Sequence, residues 1–156
     1  MMTCDAAIRV ATPLGPITLL AHGEALVAAR FDAAPVDLPD SPVCREAARQ
    51  LQAWFAGRRQ RFELPLAPQG TPFQQAVWAQ LAALGPGETL SYAQLAGALG
   101  RPRAARAVGA AVARNPLAIL IPCHRVLGAG GTLTGYAWGL ERKRALLRRE
   151  GVDAAA

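Results

Sequence analysis

The chain has 156 residues, of which 52% are hydrophobic, and a formal net charge of +6, which supports globular folding as one medium domain or two small ones. No apolar run approaches the ~18–20 residues that a membrane span needs, and no basic head followed by an apolar core opens the chain, so the expectation is a cytoplasmic protein without a membrane partner. Cysteines at 4, 44 and 123 are odd in number and form no Cys-x-x-Cys pair, which argues against a disulfide framework and a compact zinc knuckle.

The charge is unevenly spread. Residues 1–67 carry seven Arg against seven Asp/Glu, and residues 68–156 carry ten Arg/Lys against four Asp/Glu, so the whole net charge lies in the second part. A basic half fused to a neutral one points to a polyanion-binding module, with a solvated basic surface as the alternative.

In "TPLGPITLLAHGEALVAARF" two β-type runs, about 16–21 and 25–31, flank the turn "HGE" and predict a hairpin. In "DSPVCREAARQLQAWFAG" Ser41 can cap a helix with Pro42 at its first position. Val43, Ala47, Leu51, Trp54 and Phe55 then share one face, and Gly57 ends the helix. Cys44 beside that face reads as a structural thiol. "RFELPLAPQG" reads as a short strand and a Pro/Gly linker, which sets a domain boundary at 1–67 and 68–156.

The second half opens with "TPFQQAVWAQLAALGPG", where Thr71 and Gln74 have capping-box spacing and Phe73, Val77, Leu81 and Leu84 make an apolar stripe. "SYAQLAGALG" repeats the device with Ser91 and Gln94, puts Tyr92 in the first turn and stops at Gly100. "RPRAARAVGAAVARNP" predicts a helix over about 102–114, with Asn115 suited to a left-handed cap and Pro116 barring continuation. At ~100° per residue Ala105, Val108 and Val112 face one way, and Arg103, Arg106, Ala110 and Arg114 the other. Two helices joined by a short turn, the second with an Arg/Ala outer face, point to a helix-turn-helix, with solvated arginines as the bland reading.

"LAILI" reads as a buried strand ended by Pro122, "RVLGAGGTLTGYAWG" as a glycine-rich hairpin or wing, and "LERKRALLRREG" as a closing helix with Leu140 and Leu147 seven apart. Cys123 in "ILIPCHRV" thus emerges where the strand leaves the core. It is either an ordinary strand-end thiol or a nucleophile, since a neighbouring His can lower a thiol pKa, although a Cys-His dipeptide alone is a weak match.

"PCHRV", preceded by "RAVGAAVARNP" and followed by "TGYAWGLERKRALL", resembles the O6-alkylguanine-DNA alkyltransferase family, and the likeness covers nearly all of residues 71–151. The resemblance implies an α/β N-terminal domain of ribonuclease-H-like topology and a mostly helical C-terminal domain with a winged helix-turn-helix. It implies single-turnover transfer of an alkyl group from O6 of guanine in duplex DNA to Cys123 after base flipping, with O4 of thymine open as a second position.

On this resemblance His124 is the water-mediated base, Glu150 the carboxylate that orients it, and Asn115 the hinge before the active-site segment. Arg106 enters the base stack, with Arg103 and Arg114 beside it, and Tyr92 rotates the phosphate and contacts the base. The carbonyls of Cys123 and Val126 accept from the guanine amino group, and donors near Tyr92 and Ala137 stabilise the leaving guanine. No cofactor is implied, and the expected state is a monomer on double-stranded DNA carrying O6-alkylguanine.

Trp138 departs from the glycine that many members hold there, which leaves pocket width open. Some members bind zinc in the N-terminal domain; Cys4 and His22 match two such ligands, but Val27 stands at a third, so no metal is expected. The rivals are a non-catalytic DNA-binding or regulatory protein, and a multiple-turnover cysteine hydrolase.

Overall fold

The computed structural model describes residues 3–33 and 35–154. The chain divides into two units: residues up to Gln69 together with Pro116–Leu120, and Gly70–Asn115 together with the residues from Ile121 onward.

The first unit holds an antiparallel sheet in the order β1 (Ala6–Val10), β2 (Ile17–His22), β3 (Ala25–Arg30) and one helix, α1 (Pro42–Phe55). The predicted hairpin is β2 and β3, turning at Gly23 with φ +60°; β1, which carries Arg9 inside a short apolar run, is an addition to the sequence reading. Leu26–Ala29 are all buried, as expected of a strand with neighbours on both sides. The outer edge of β3 is covered by two single bridges, to Leu66 and Leu117.

Those bridges correct two expected strands. Around Leu66 only the Leu26 N–H to Pro65 O and Ala67 N–H to Leu26 O bonds form, at 2.9 and 2.8 Å, because Pro65 has no N–H with which to extend the ladder. "LAILI" likewise pairs only through the Ala29 N–H to Pro116 O and Ala118 N–H to Ala29 O bonds, at 2.9 and 3.1 Å. It then turns at Ile119, the one non-glycine residue with positive φ (69°) among the described residues. Leu117–Ile121 are all buried, so the apolar run marks a buried turn rather than a strand.

In α1 the Ser41 hydroxyl accepts from the Cys44 N–H, Pro42 occupies the first turn, and Gly57 follows the cap with φ +76°. The buried stripe is Cys44, Ala47, Gln50, Leu51 and Trp54, with Val43 and Phe55 only partly covered. Gln50 is buried because its amide is satisfied: Nε2 donates to Glu63 O at 3.1 Å and Oε1 accepts from Glu63 N at 2.9 Å.

The second unit contains α2 (Pro72–Ala82), β4 (Leu90–Ser91), α3 (Tyr92–Ala98), α4 (Ala105–Ala113), β5 (Val126–Leu127) and α5 (Leu140–Arg149). Both predicted capping boxes form, Thr71 with Gln74 and Ser91 with Gln94; an N-cap of this type contributes about 1 kcal/mol. The helix expected from 102 starts at Ala105, because Arg101–Ala104 closes a turn through the Ala104 N–H to Arg101 O bond of 2.9 Å. Val108, Ala111 and Val112 are its buried residues, and Arg106, Ala107 and Ala110 are exposed or partly so.

Asn115 is not a left-handed cap. It is buried, and its Nδ2 donates to Ile121 O at 2.7 Å across the 116–120 excursion. Of the expected glycine-rich hairpin or wing, no antiparallel hairpin forms among the described residues: β5 pairs in parallel with β4, Leu90 opposite Val126, and Ala129–Gly131 form a 3-10 turn closed by the Gly128 N–H to Thr132 O bond of 2.9 Å. In α5, Leu147 is buried but Leu140 is 45% exposed; the buried face is Lys143, Leu146 and Leu147.

Candidate active site

A cavity of about 350 Å³ opens in the second unit, lined by Tyr92 from α3, Gly109 and Val112 from α4, Asn115, Cys123, and the 135–138 segment with Tyr136, Ala137 and Trp138. Cys123 begins a 3-10 turn over Cys123–Arg125, and its N–H donates to Ile121 O at 2.8 Å. A tight turn, not an extended strand end, therefore presents the sulfur, which is why two consecutive side chains can serve one site.

Burial pushes the Cys123 thiol up from its ordinary value, with the nearby Asn115 amide and Lys143 ammonium opposing that shift. Burial also pushes His124 down, against the pull of Glu150. The resting pair is thus a neutral thiol beside a neutral imidazole.

His124 is fully buried, and its Nε2 lies 3.2 Å from Glu150 Oε1. The carboxylate is acceptor-only, so this contact places the ring proton on Nε2 and leaves the Nδ1 lone pair available; Nδ1 is buried with no protein partner. Burial of Glu150 opposes its ionisation, but the bonds from His124 and Arg125 outweigh that and hold its pKa below the ordinary value.

Arg125 makes the carboxylate tenable. Its Nε donates to Glu150 Oε1 and Oε2 at 3.0 and 3.1 Å, its Nη2 also meets Oε2, and its Nη1 donates to Leu84 O at 2.6 Å, just beyond α2. The fork fixes Glu150, and Glu150 fixes His124.

Two further residues border the site without having been picked out in the sequence. Lys143 is fully buried, and its Nζ donates to Thr134 O at 2.5 Å and Gly135 O at 3.0 Å, pinning the pocket wall. Desolvation lowers its pKa from 10.5 to about 8. Tyr136 turns its hydroxyl into the site. The spacing of Lys143, Leu146, Leu147 and Glu150 at i, i+3, i+4, i+7 was a readable sign that Lys143 faces the same side as Glu150.

Cys123, Asn115, Tyr92, Ala137 and Trp138 therefore meet around one cavity, with His124 and Glu150 joined to Cys123 through the turn. Tyr92 is half-buried, its ring 3.7 Å from where a Cβ on Gly109 would stand. Val126 is buried in β5 and does not line the cavity. Arg103, Arg106 and Arg114 are exposed, before, on and at the end of α4.

Among the described residues no group of three or more His, Cys, Asp or Glu could hold a metal ion. His22 Nδ1 instead lies 3.6 Å from Asp5 Oδ2. No helix among the described residues is long and apolar enough to cross a membrane.

Two family models match the chain: the 6-O-methylguanine DNA methyltransferase ribonuclease-like domain over residues 9–68 and the DNA binding domain of the same family over residues 72–152. A methylated-DNA--protein-cysteine methyltransferase of Methanosarcina acetivorans is 48% identical over 147 residues, 90% of this chain and 94% of that one. Its namesake from Shigella flexneri is 41% identical over 92% of this chain and 94% of that one. The Mycobacterium tuberculosis O6-methylguanine methyltransferase structure superposes with a TM-score of 0.85 at 44% identity, covering 97% of this chain and 95% of that chain. The Mycobacterium tuberculosis protein in complex with DNA gives 0.84 at 45% identity, covering 95% and 94%.

Proposed function

The chain belongs to the 6-O-methylguanine DNA methyltransferase family, and from that premise we propose that it repairs DNA by moving an alkyl group from O6 of guanine to Cys123 in a single turnover. The observation that carries the reading is the buried series Cys123, His124, Glu150, Arg125 beside a cavity of about 350 Å³. The thiol proton passes to His124 Nδ1 through an intervening water. The sulfur attacks the alkyl carbon as the carbon–O6 bond breaks, and guanine takes up the proton that sulfur gave away. The thioether has no route back to a thiol, so the protein is consumed.

A base inside a duplex cannot reach a buried sulfur, so the nucleotide must leave the stack, at a cost of a few kcal/mol. Arg106 is the exposed side chain on α4 that fills the gap, and Arg103 and Arg114 hold phosphates beside it. In this reading α3 and α4 act as a helix-turn-helix with the 128–132 turn as its wing. Tyr92 and the Ala137 backbone meet the flipped guanine, and the carbonyls of Cys123 and Val126 accept from its amino group. Asn115, bonded to Ile121 O, anchors the segment that carries Cys123. The partner is double-stranded DNA with O6-alkylguanine, met by a monomer in the cytoplasm.

The deciding experiment is intact-protein mass after incubation with an O6-methylguanine duplex. The expected result is a gain of one CH2 on the peptide containing Cys123, stoichiometric with repaired guanine and absent in Cys123→Ala. Unchanged mass with intact DNA binding would favour a non-catalytic binder, and repeated turnover would favour a hydrolase.

A further inference from the structure

We propose that the Tyr136 hydroxyl is a direct hydrogen-bond donor to Cys123 Sγ in its thiolate form, and so a catalytic residue of the transfer; the inference rests on the alkyl-acceptor reading of Cys123. Tyr136 lines the cavity with Cys123. Its hydroxyl oxygen is closed to solvent and makes no hydrogen bond of proper geometry with the protein, although the side chain lies close enough to the thiol for the two to interact. A buried hydroxyl left unpaired is costly and rare, so its retention here calls for a partner that appears only during function.

The state of the sulfur supplies that partner. A neutral thiol is a weak acceptor, whereas a thiolate draws a short, charge-assisted bond, and a phenolic O–H can rotate to make it without moving its ring. The other groups that face Cys123 already have partners. Asn115 Nδ2 donates to Ile121 O and the same amide also reaches the thiol, and Lys143 Nζ donates to Thr134 O and Gly135 O. The Tyr92 hydroxyl interacts with Thr134, and His124 presents a lone pair at Nδ1 rather than a proton. Arg142 faces Tyr136, and Arg125 and Glu150 lie behind His124. Tyr136 is the donor of this set whose hydroxyl has no hydrogen bond of its own, so it can add to Asn115 once the sulfur is charged.

Tyr136 exchanges no proton. The proton leaves sulfur toward His124, the sulfur–carbon bond forms as the carbon–O6 bond breaks, and the phenol keeps its hydrogen throughout. Burial, followed by the nearby Cys123, holds the phenol well above its ordinary pKa, as a donor must be. As sulfur becomes a neutral thioether the bond weakens again, so the interaction is strongest when charge is highest, which is the condition for lowering a barrier.

The test uses full-length Tyr136→Phe, which keeps the ring and removes only the donor. The pH profile of Cys123 carboxamidomethylation by iodoacetamide, read by intact mass without DNA and with Cys123→Ala as blank, should move up by about half a pH unit or more. Transfer from an O6-methylguanine duplex under excess protein should slow about tenfold or more, with duplex Kd changed less than about twofold, because the lost bond is to a charged acceptor. Coincident pH profiles, or a shifted profile with undiminished transfer, would overturn the proposal.

If the unsubstituted protein transfers nothing, the functional reading fails, while the iodoacetamide profile still decides the hydrogen bond. Should the variant not fold, ζ-13C-tyrosine NMR on the unsubstituted protein replaces it. The Tyr136 resonance should shift at the midpoint of the Cys123 titration, and a resonance that ignores that titration overturns the proposal.

Discussion

Replacing Arg125 by Met should destabilise the protein far more than the loss of a surface ion pair would. The Arg125 and Glu150 side chains are 7% and 2% exposed, and the guanidinium also satisfies Leu84 O. Removing one partner of such a pair strands a buried carboxylate and costs about 3–5 kcal/mol. For a chain of 156 residues each kcal/mol lowers Tm by about 2–4 °C, so the expected loss is about 6–20 °C.

The pH dependence has a definite sign. The folded-state pKa of Glu150 is depressed below the ordinary 4.5, so its contribution to stability is present above that value and is lost as pH falls through the folded pKa. In the variant that contribution is missing, and the deficit should therefore be full at pH 7 and narrow only as pH falls below 4.5 through the folded pKa. Melting curves of both proteins across this range are the assay, and Arg125→Met/Glu150→Gln should recover part of the loss because no unpaired charge remains. A deficit below about 1 kcal/mol at neutral pH, or one that does not narrow in acid, would refute the account of Arg125.

Arg106→Ala should reduce transfer from duplex DNA more than transfer from the free alkylated base, since the side chain is exposed on α4 and its proposed role is in the base stack, away from the sulfur; equal losses in single-turnover assays on both substrates would remove that role. Trp138→Gly should raise the rate on O6-benzylguanine relative to O6-methylguanine if the indole, which lines a cavity of about 350 Å³, restricts its width, and competition between the two substrates measures the ratio. Lys143→Met should gain stability relative to the parent at pH 7 compared with pH 10. The folded pKa of about 8 against 10.5 means that the charged form is penalised by on the order of 3 kcal/mol at neutral pH, a penalty that disappears as pH rises past the ordinary value. Melting at the two pH values gives the difference directly.

Local signals in the sequence carried much of the fold. Ser41, Thr71 and Ser91 cap helices because their hydroxyls reach N–H groups a few residues away, an interaction wholly contained in the quoted stretches. "LAILI" misled for a physical reason: an apolar run reports burial, and a buried turn around Ile119 is as apolar as a strand. The start of α4 was misplaced because Pro102 suits a turn as well as a first helical turn.

At the site, the motif "PCHRV" revealed Cys123 and His124, but the same motif held Arg125, whose role depends on a carboxylate 25 residues away. Lys143 lay hidden in "ERKRALLRR", where composition alone makes every cation look solvated. Its burial follows from sharing a helix face with Leu146 and Leu147. Tyr136 had no sequence signal at all, since nothing in "TGYAWG" tells which way a loop aromatic points.

The electrostatics of the pocket separate the alkyl-transfer reading from its hydrolytic rival. A cysteine hydrolase works from a resting thiolate, so its thiol pKa is lowered, by a helix N-terminus or an imidazolium. Here burial drives Cys123 up and His124 down, and both shifts oppose the ion pair. A thiolate is also the form that oxidants and stray electrophiles attack, so a sulfur that can be spent only once is preserved by staying protonated and 6% exposed. The means of forming charge are nevertheless in place: Glu150 raises His124 against its burial, Arg125 keeps Glu150 ionised, and Asn115 and Lys143 lower the thiol. Charge on sulfur then becomes accessible when an alkyl carbon lies in line and the leaving guanine can take the proton. A site biased toward the neutral thiol at rest sacrifices rate for persistence, which suits a stoichiometric acceptor and not an enzyme of many turnovers.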